Sequence, residues 1–330
     1  MNMEHRFNRF IAHISPSPKQ RAEADQQATY LSKQLAERIA VDGQFHLEKI
    51  FLAGSAAKHT NLARRGQGTF DIDLGIYYRR QGQKDEQLRK LLSYTHAQAR
   101  KIYPTQKPDQ DFHVGKNAVN IIFRTSGLKI DAVPIIRADL PGIKNSGWIP
   151  RQDVWRLTSI TAHIQFVHTR TARSKLVTGS VTFNNLVRLM KWWNRLLPES
   201  LQQCSYFYEL ITAAALEKEG VTGDWQSSFS QIFAFLSRHA FSQPIIFSDY
   251  YNAKQVKPRS ELVVVLDAVN PDNNLARKWN KGTRRGYLNC VQRTLEYSKK
   301  ARDCEQKGDE QGAVDAWCQI FGDEFRRLSQ

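Results

Sequence analysis

The sequence lacks a membrane-spanning apolar run, a signal peptide for secretion and a ligand pattern for structural zinc. Its apolar runs are too short to cross a bilayer, and the N-terminal residues MNMEHRFNRF lack a signal-peptide pattern. The cysteines form no CxxC pair and have no histidines at zinc-site spacing; they are Cys204, Cys290, Cys304 and Cys318. We therefore expect a cytoplasmic protein with reduced thiols and no membrane contact.

Internal repeats, low-complexity tracts and an evident unstructured linker are missing too, so the 330 residues predict one or two globular domains. Acidic residues are few relative to basic ones, 32 Asp and Glu against 48 Lys and Arg, which gives a net charge of +16. Such a charge attracts phosphate-rich partners, either nucleotides or a nucleic-acid duplex. A solvated basic surface without a partner explains the charge equally well.

The stretch that carries chemistry is residues 51–78. Two short apolar runs bracket a polar, basic loop, and the second run alternates in the manner of a strand. Side chains two residues apart on a strand share a face, so the carboxylates of Asp71 and Asp73 are predicted to lie side by side. Two adjacent carboxylates repel each other without a cation, and oxygen ligands of this kind suit Mg²⁺.

A phosphate site is predicted next to these acids, where the first apolar run ends. Gly54 lets the backbone approach a phosphate closely, and the hydroxyl and amide of Ser55 can donate to it. Lys58 follows so closely that we predict it to be a phosphate neighbour. An isolated Asp-x-Asp pair also occurs by chance on solvated strands, but the preceding Gly-Ser favours a nucleotide and metal site. Further basic residues could serve either the substrate or a duplex: Arg64, Arg65, Arg79 and Arg80.

A third carboxylate follows in the chain. Residues 112–124 and 128–136 are predicted strands joined by a turn at 125–127. Asp131 is the only acid in the second run, and burying it without a partner would be costly. It either points to solvent near a strand end or joins Asp71 and Asp73. Three acids on adjacent strands are what a two-metal phosphoryl-transfer site needs.

Helical patterns account for most of the remaining chain. Residues 19–41 predict a long helix capped by Ser17, with Pro18 in its first turn. Residues 137–157 look irregular and are predicted to cross between two lobes. Further segments include the helices at 85–103, at 180–196 with Trp192 and Trp193 as core, and from Ser205 to Ala215, an apolar run at 262–275, and a C-terminal helix broken at Gly322.

Six features of this sequence occur in the same order in one known superfamily: Gly54-Ser55, Asp71-x-Asp73, Asp131, LVRLMKWWNR, Ser205-Tyr206 and VLDAVNPDNNLA. In this combination the chain resembles the bacterial cyclic GMP-AMP synthase-like and oligoadenylate synthetase-like nucleotidyltransferases, the CD-NTases. The resemblance extends from residue 19 to about residue 325. It implies an α+β fold with a polymerase-β-like nucleotidyltransferase lobe containing a mixed sheet (19–150), a C-terminal helical lobe (151–330), and an active site in the cleft between them.

The resemblance also implies roles for individual residues. Asp71, Asp73 and Asp131 would hold two Mg²⁺ ions, with Mn²⁺ as the alternative ion, and Asp131 would help to activate the acceptor ribose hydroxyl. The donor triphosphate would be bound by Gly54, Ser55, Lys191 and Ser205, and Lys58, predicted from its closeness to Gly54-Ser55, would join them. The family usually has a proline where this chain has Ala268, a departure that we expect to affect a turn and not the chemistry.

The segments IIFSDYY, VNPDNNLAR and WCQIFGDEF resemble one branch most, whose members lie beside HORMA-domain proteins and an AAA+ ATPase in anti-phage CBASS operons. That resemblance implies synthesis of cyclic tri-adenylate from ATP, with a HORMA-domain activator and duplex DNA as partners. Alternatives are a cyclic dinucleotide or mixed-base trinucleotide, linear oligoadenylate, or nucleotide transfer to a protein or RNA. A basic nucleic-acid-binding protein on a decayed nucleotidyltransferase fold is the non-enzymatic alternative, although all three acids are present.

Overall fold

The structure is a computed structural model that describes residues 2–64, 69–82, 84–140, 142–151 and 154–327. The chain divides into two compact units. One unit is formed by Pro16–Gln165, and the other combines Met1–Ser15 with Phe166–Gln330. The division into domains 19–150 and 151–330 that the sequence suggested stays a prediction.

The elements follow one another in an order that separates a mixed α/β part from a helical part. The first part of the chain contains α1 (Met3–Ile14), α2 (Pro18–Asp42), β1 (Leu47–Ala53), α3 (Gly54–Ala57), β2 (Phe70–Tyr78), α4 (Lys84–Ile102), β3 (Phe112–Val114), β4 (Val119–Phe123), β5 (Leu128–Arg137), β6 (Ser146–Arg151) and β7 (Val154–Ser159). The second contains α5 (Ile160–Thr178), α6 (Phe183–Leu196), α7 (Ser205–Glu219), α8 (Trp225–His239), α9 (Lys281–Gln306), α10 (Glu310–Phe321) and α11 (Asp323–Arg327). Among the described residues, no helix combines the length and the apolar character needed to cross a membrane.

The strands of the described residues form one mixed sheet, which confirms the predicted α+β fold. Its order is β1-β2-β5-β4-β3, and β6 pairs with β5 on one side and with β7 on the other. The pair β2 and β5 is parallel, whereas the other pairs are antiparallel. The parallel pair lies inside the sheet, so both strands are held on each side by hydrogen bonds.

The long helix α2 begins where the sequence predicts. The Ser17 side chain accepts a hydrogen bond from the backbone of Gln20, and the Gln20 side chain accepts one from the backbone of Ser17. This reciprocal pair satisfies two backbone donors that a helix end otherwise leaves open. The helix then buries one stripe of apolar residues in the core beneath the sheet: Ala24, Ala28, Leu31, Leu35 and Ile39. Burial of each leucine or isoleucine contributes roughly 1.5–3 kcal/mol, which fixes α2 against the core.

The prediction of irregular structure at 137–157 is wrong for residues 146–151 and 154–157, where β6 and β7 pair as antiparallel strands. The predicted crossing between lobes stays a prediction. Glycine and proline suggested a loop, yet both suit this place in the sheet. A Cβ on Gly147 would come within 2.3 Å of the Ile135 side chain, so only glycine permits the close approach to β5. Pro150 lies beyond the residues of β6 that pair with β5, so its missing N–H removes no bond to that strand.

Two other apolar runs show where the chain turns, and the first differs from expectation. Residues 112–124 are two strands, β3 and β4, because the chain turns where the N–H of Gly115 donates to the carbonyl of Ala118. The run at 262–275 contains only isolated bridges, one between Ile245 and Val265 and one between Leu266 and Asn274. Apolar content did not predict the turn within residues 112–124.

The helical unit is organised around aromatic side chains. Trp192 and Trp193 are buried, as predicted, and each indole N–H has a partner, the carbonyl of Phe321 and the hydroxyl of Thr294 respectively. The N-terminal helix α1, which the sequence analysis did not predict, adds Phe7 and Phe10 to the same core. Both rings make edge-on or tilted contacts with Phe321, so α1 belongs to the packing of this unit.

Candidate active site

The three predicted acids lie on one face of the sheet. In the parallel register of β2 and β5, Asp73 is opposite Asp131, and Asp71 is opposite Lys129. Side chains two residues apart on a strand share a face, so these four residues form two facing pairs. The structure therefore brings Asp71, Asp73 and Asp131 together, although their roles in metal binding and catalysis stay a prediction.

The fourth member of this group, Lys129, was missed by the sequence analysis. Its ammonium nitrogen lies 3.3 Å from Oδ2 of Asp131 and 3.5 Å from Oδ1 of Asp71. A lysine two residues before Asp131 must share its strand face, and that spacing could have identified it. Lys129 supplies one positive charge among three carboxylates.

Two hydrogen bonds orient the outer carboxylates. The side-chain amide of Asn120, on β4 opposite Asp131, donates to Oδ1 of Asp131 at 2.6 Å. The hydroxyl of Thr69, just before β2, donates to Oδ1 of Asp71 at 2.8 Å. Hydrogen bonds to carboxylates are stronger than those between neutral groups. Asn120 and Thr69 therefore restrict the directions in which these two acids can point.

Asp73 is the acid with the most perturbed electrostatics. Burial, together with the neighbouring charges of Asp131 and Asp71, raises the pKa of Asp73 to about 6, although Lys58 and Lys129 act in the opposite direction. A raised pKa means that the folded protein holds this negative charge at a free-energy cost. A bound divalent cation would relieve that cost.

Gly54 is required by its contact with Asp73. The residue before it, Ala53, pairs with Asp73 across β1 and β2, and Gly54 itself has φ +61°. A Cβ added at Gly54 would lie 1.7 Å from Oδ2 of Asp73, inside the carboxylate. The Gly-Ser turn then continues through α3, where the N–H of Lys58 donates to the carbonyl of Gly54 and that of Thr60 to the carbonyl of Ser55.

Replacing Gly54 by Ala is expected to displace Asp73 and to reduce product formation by a factor of ~100 or more, because small displacements of catalytic groups have effects of that size. Stability should fall by about 1–3 kcal/mol from the left-handed backbone and the steric overlap. Gly43→Ala is the matched control, since Gly43 has φ +68° with nothing within 4 Å of its missing Cβ. Activity assays and urea unfolding check this. If Gly54→Ala and Gly43→Ala reduce product formation equally, the contact between Gly54 and Asp73 is unimportant for activity.

The predicted basic residues differ in their surroundings. Lys58 is buried and acts electrostatically on Asp73. The Arg64 guanidinium donates to the carbonyl of Ser126 at 2.6 Å, so it fastens the loop after α3 to the turn between β4 and β5. Arg79 lies 3.5 Å from a Glu48 carboxylate, and Arg80 is exposed. Arg65 lies outside the described residues.

Lys191 and Ser205 belong to the helical unit. The Lys191 ammonium on α6 lies 3.2 Å from a carboxylate oxygen of Glu209 on α7, and both side chains are buried. Ser205 is the exposed first residue of α7, one helical turn before Glu209. No local pattern in the sequence identifies Glu209 as the partner of Lys191. A phosphate contact by Lys191 or Ser205 stays a prediction.

The substitution at Ala268 has a local consequence. The hydroxyl of Tyr206 donates to Oδ1 of Asp267 at 3.1 Å and accepts the backbone N–H of Ala268 at 3.1 Å. A proline at this position has no N–H to donate. Oδ1 of Asp267 also accepts the backbone N–H of Val269 at 2.9 Å. Ala268 thus contributes a backbone hydrogen bond that a proline could not make, whereas its effect on the chemistry stays a prediction.

A family model described as the Second Messenger Oligonucleotide or Dinucleotide Synthetase domain, SMODS, matches residues 1–170 of this chain. The matched region spans more than half of the 330 residues and includes the face that carries Asp71, Asp73 and Asp131. The chain belongs to the SMODS family. It is therefore a nucleotidyltransferase, and the enzyme class suggested by the three acids is confirmed.

Relatives of this SMODS protein resemble it along its whole length. The Cyclic AMP-AMP-AMP synthase of Escherichia coli strain MS 115-1 is 28% identical over 334 residues, which cover 99% of this chain and 100% of that protein. The structure of E. coli MS115-1 CdnC with ATP matches with a TM-score of 0.82 at 27% identity, covering 98% of each chain. CdnC in its complex with HORMA-deltaN matches with a TM-score of 0.80 at 27% identity, covering 97% of each chain.

The acidic face of the SMODS chain fits a divalent metal by its donor chemistry, since carboxylate oxygens are the ligands that Mg²⁺ prefers. Asp73, whose charge is disfavoured by burial and by its neighbours, would gain most from such an ion. Within the part of the chain that the structure describes, no three His, Cys, Asp or Glu side chains already form a metal cluster. Instead, Lys129 lies between Asp71 and Asp131.

Proposed function

We propose that this SMODS protein joins three ATP molecules into cyclic tri-adenylate, as a second messenger in CBASS anti-phage signalling. The observation that supports the proposal is the match along the whole chain to a Cyclic AMP-AMP-AMP synthase. The geometry agrees with it, because the parallel register places Asp131 opposite Asp73 on the face that also carries Asp71. A decayed, non-catalytic fold would have no reason to keep three mutually repelling acids in one place.

The acids act by positioning and by charge. Asp71, Asp73 and Asp131 would hold Mg²⁺, or Mn²⁺ in its place; the ion, when bound, neutralises triphosphate charge and lowers the pKa of the attacking hydroxyl. Asp131, oriented by Asn120, would accept the hydrogen bond of the acceptor ribose hydroxyl and so favour loss of its proton. Asp73 faces the Gly54 turn, where the donor phosphates would lie.

The donor triphosphate would be held by the Gly-Ser turn and by basic side chains. Gly54 has no side chain to block a phosphate, Ser55 can donate from its hydroxyl, and Lys58 supplies charge close to Asp73. Lys191 and Ser205 are the other proposed phosphate contacts, and Lys191 would exchange part of its pairing with Glu209 for phosphate.

Each step forms one bond and breaks one bond. The ribose hydroxyl oxygen bonds to the α-phosphorus of the donor, the bond between that phosphorus and the β-phosphate oxygen breaks, and pyrophosphate leaves with the electron pair. Two such steps make a linear trimer, and a third closes the ring. Because the protein contributes mainly positioning and charge neutralisation, the same site would also serve the alternatives of a cyclic dinucleotide, a mixed-base ring or a linear chain.

A HORMA-domain protein is the proposed partner, because the CdnC complex with HORMA-deltaN matches this chain over nearly its full length. Duplex DNA is a second proposed partner, supported by the net charge of +16. If the basic surface binds a duplex, affinity should fall steeply with salt through counter-ion release.

A product assay tests the function. The purified protein is incubated with Mg²⁺ and each labelled nucleoside triphosphate, alone and in pairs, with and without duplex DNA and a HORMA-domain protein. We expect a phosphatase-resistant product with the mass of cyclic tri-adenylate from ATP alone, since a ring has no terminal phosphate to remove. Mass spectrometry identifies the surviving product.

The controls separate the alternatives. A phosphatase-sensitive product would indicate linear oligoadenylate, and a resistant product that requires a second nucleotide would indicate a mixed ring. Asp73→Asn under the same conditions should give none of these products. Absence of product with every partner combination, from a protein shown to be folded, would contradict the proposed activity.

A further inference from the structure

The acidic face contains a positive charge that the proposed mechanism does not use. Asp71 and Lys129 form one facing pair of β2 and β5, and Asp73 and Asp131 form the next. These four side chains occupy neighbouring positions on the same face. Three are acids and one is a base, so the group carries a net negative charge even with Lys129 present.

Lys129 contacts two of the acids at once. Its nitrogen lies 3.3 Å from Oδ2 of Asp131, whose other oxygen is held by Asn120, and 3.5 Å from Oδ1 of Asp71. The side chain of Lys129 is 27% exposed, that of Asp131 is 21% exposed and that of Asp71 is 53% exposed. The contact with Asp131 is partly shielded from water and is therefore screened less than a surface ion pair, whereas the contact with Asp71 is more exposed.

We infer that Lys129 is a tethered counter-ion, which holds Asp71 and Asp131 together before a metal binds and is displaced when a divalent cation enters. The inference rests on the proposed metal site and adds to it a device built from this chain's own residues. A lysine suits the task, because its charge is a compact point on a flexible four-carbon stem that can swing away.

The displacement follows from distance and charge. A bound Mg²⁺ lies about 2.0–2.1 Å from each oxygen ligand. An ammonium 3.3 Å from Asp131 and 3.5 Å from Asp71 faces the oxygens that the ion would use. Two cations so close together repel each other strongly, since a partly buried site has a low effective dielectric constant. The divalent ion attracts the carboxylates more strongly and should replace the monovalent one.

The device has two consequences for the protein. Without metal, Lys129 lowers the repulsion among the acids, so its removal should destabilise the metal-free fold. With metal, Lys129 competes for Asp71 and Asp131, so its removal should tighten metal binding. These opposite signs distinguish a displaced counter-ion from a residue that only supports the fold, because loss of a structural residue would weaken both properties.

The first test is a titration of the protein with Mn²⁺ alone, without nucleotide. Binding is measured by calorimetry and by the electron paramagnetic resonance signal of free Mn²⁺. Lys129→Met should bind Mn²⁺ roughly fivefold to tenfold more tightly than the wild type, which corresponds to about 1–1.4 kcal/mol. Its melting temperature in EDTA should be lower than that of the wild type. Lys129→Arg, which keeps the charge, and Lys33→Met on the exposed side of α2 should bind Mn²⁺ within twofold of the wild type.

The second test uses the unmutated protein and does not depend on the folding of a variant. Amine-reactive labelling is followed residue by residue by mass spectrometry, with EDTA and with Mg²⁺. Metal should increase the labelling rate of Lys129 severalfold, because the displaced amine loses its carboxylate partners, and should leave the rate of Lys33 unchanged.

The outcomes separate this inference from the proposed metal site. If the wild type binds Mn²⁺ but Lys129→Met binds it equally or more weakly, or if Lys129 labelling does not rise with Mg²⁺, the counter-ion role is wrong and the metal site stands. If the wild type and Asp73→Asn bind Mn²⁺ with the same affinity, the metal site is misassigned, and the inference fails with it.

Discussion

Asp73→Asn is expected to reduce product formation by a factor of at least ~10³ while leaving the fold intact. The factor is of the size expected when a metal ligand in a phosphoryl-transfer site is lost, about 4 kcal/mol of transition-state stabilisation. Asp73 lies opposite Asp131 and directly beside the Gly54 turn, so its loss would affect both metal binding and the donor phosphates. Asp71→Ala should have an effect in the same direction.

The measurement compares initial rates of pyrophosphate release at saturating ATP and Mg²⁺. Asp25→Asn is the matched control, because Asp25 is an exposed carboxylate on α2, outside the acidic face. Circular dichroism and urea unfolding establish that both variants fold. A folded Asp73→Asn protein that keeps the wild-type rate would contradict the assignment of Asp73 to the active site.

The same substitution should change how stability depends on pH in the metal-free protein. The folded-state pKa of Asp73 is about 6, above the ordinary 3.8, so the folded protein binds this proton more tightly than the unfolded chain does. Folding stability should therefore decrease as the pH rises from about 4 to about 6, by on the order of 3 kcal/mol in total from this group. Asp73→Asn should lose this decrease.

Urea unfolding in EDTA between pH 4.5 and 7.5 checks this expectation. At pH 7.5 the Asn variant should be more stable than the wild type, because it has no buried negative charge next to Asp131 and Asp71. A variant that is less stable than the wild type at pH 7.5 would show that the carboxylate of Asp73 stabilises the metal-free fold.

Glu209→Gln is expected to destabilise the helical unit by about 3 kcal/mol or more. The Lys191 ammonium would stay buried, with only 5% of its side chain exposed, without the carboxylate that lies 3.2 Å away. Removal of one member of a buried ion pair costs about 3–5 kcal/mol, whereas replacement of both members by residues of similar volume is often close to neutral. The double variant Lys191→Met, Glu209→Gln should therefore recover most of the lost stability.

Urea unfolding of the two single variants and the double variant completes a thermodynamic cycle, and ATP titrations add a functional measurement. If Lys191 also contacts the donor phosphates, the double variant should be stable yet bind ATP at least about tenfold more weakly, since charged hydrogen bonds to phosphate are strong. Wild-type ATP affinity in the stable double variant would restrict Lys191 to the ion pair with Glu209.

Local patterns in the sequence determined much of this protein. The cap at Ser17, with Pro18 in the first turn of α2, depends only on neighbouring residues and was predicted. The alternation around Asp71 and Asp73 predicted a strand with both carboxylates on one face, and the order of the motifs predicted the nucleotidyltransferase class. The cap and the alternation involve residues within one helix or one strand. The motif order can be read along the chain without knowing its fold.

Tertiary structure alone decided which residues face one another. The parallel register of β2 and β5 places Asp131 opposite Asp73 and Lys129 opposite Asp71, although α4, β3 and β4 separate the two strands in the chain. The hydrophobic periodicity of a single strand does not specify this register. The hairpin of β6 and β7 escaped prediction for the same reason, since the close approach at Gly147 is visible only with β5 in place.

The partners of the basic groups were also decided by the fold. Lys191 was predicted from its motif, but its pairing with Glu209 depends on how α6 and α7 pack. The sequence shows that Lys129 lies two residues before Asp131. No local sequence pattern shows that its amine lies between two acids from neighbouring strands. Sequence patterns specify residue type and periodicity, whereas the balance of charges in a site depends on distances that only long-range packing sets.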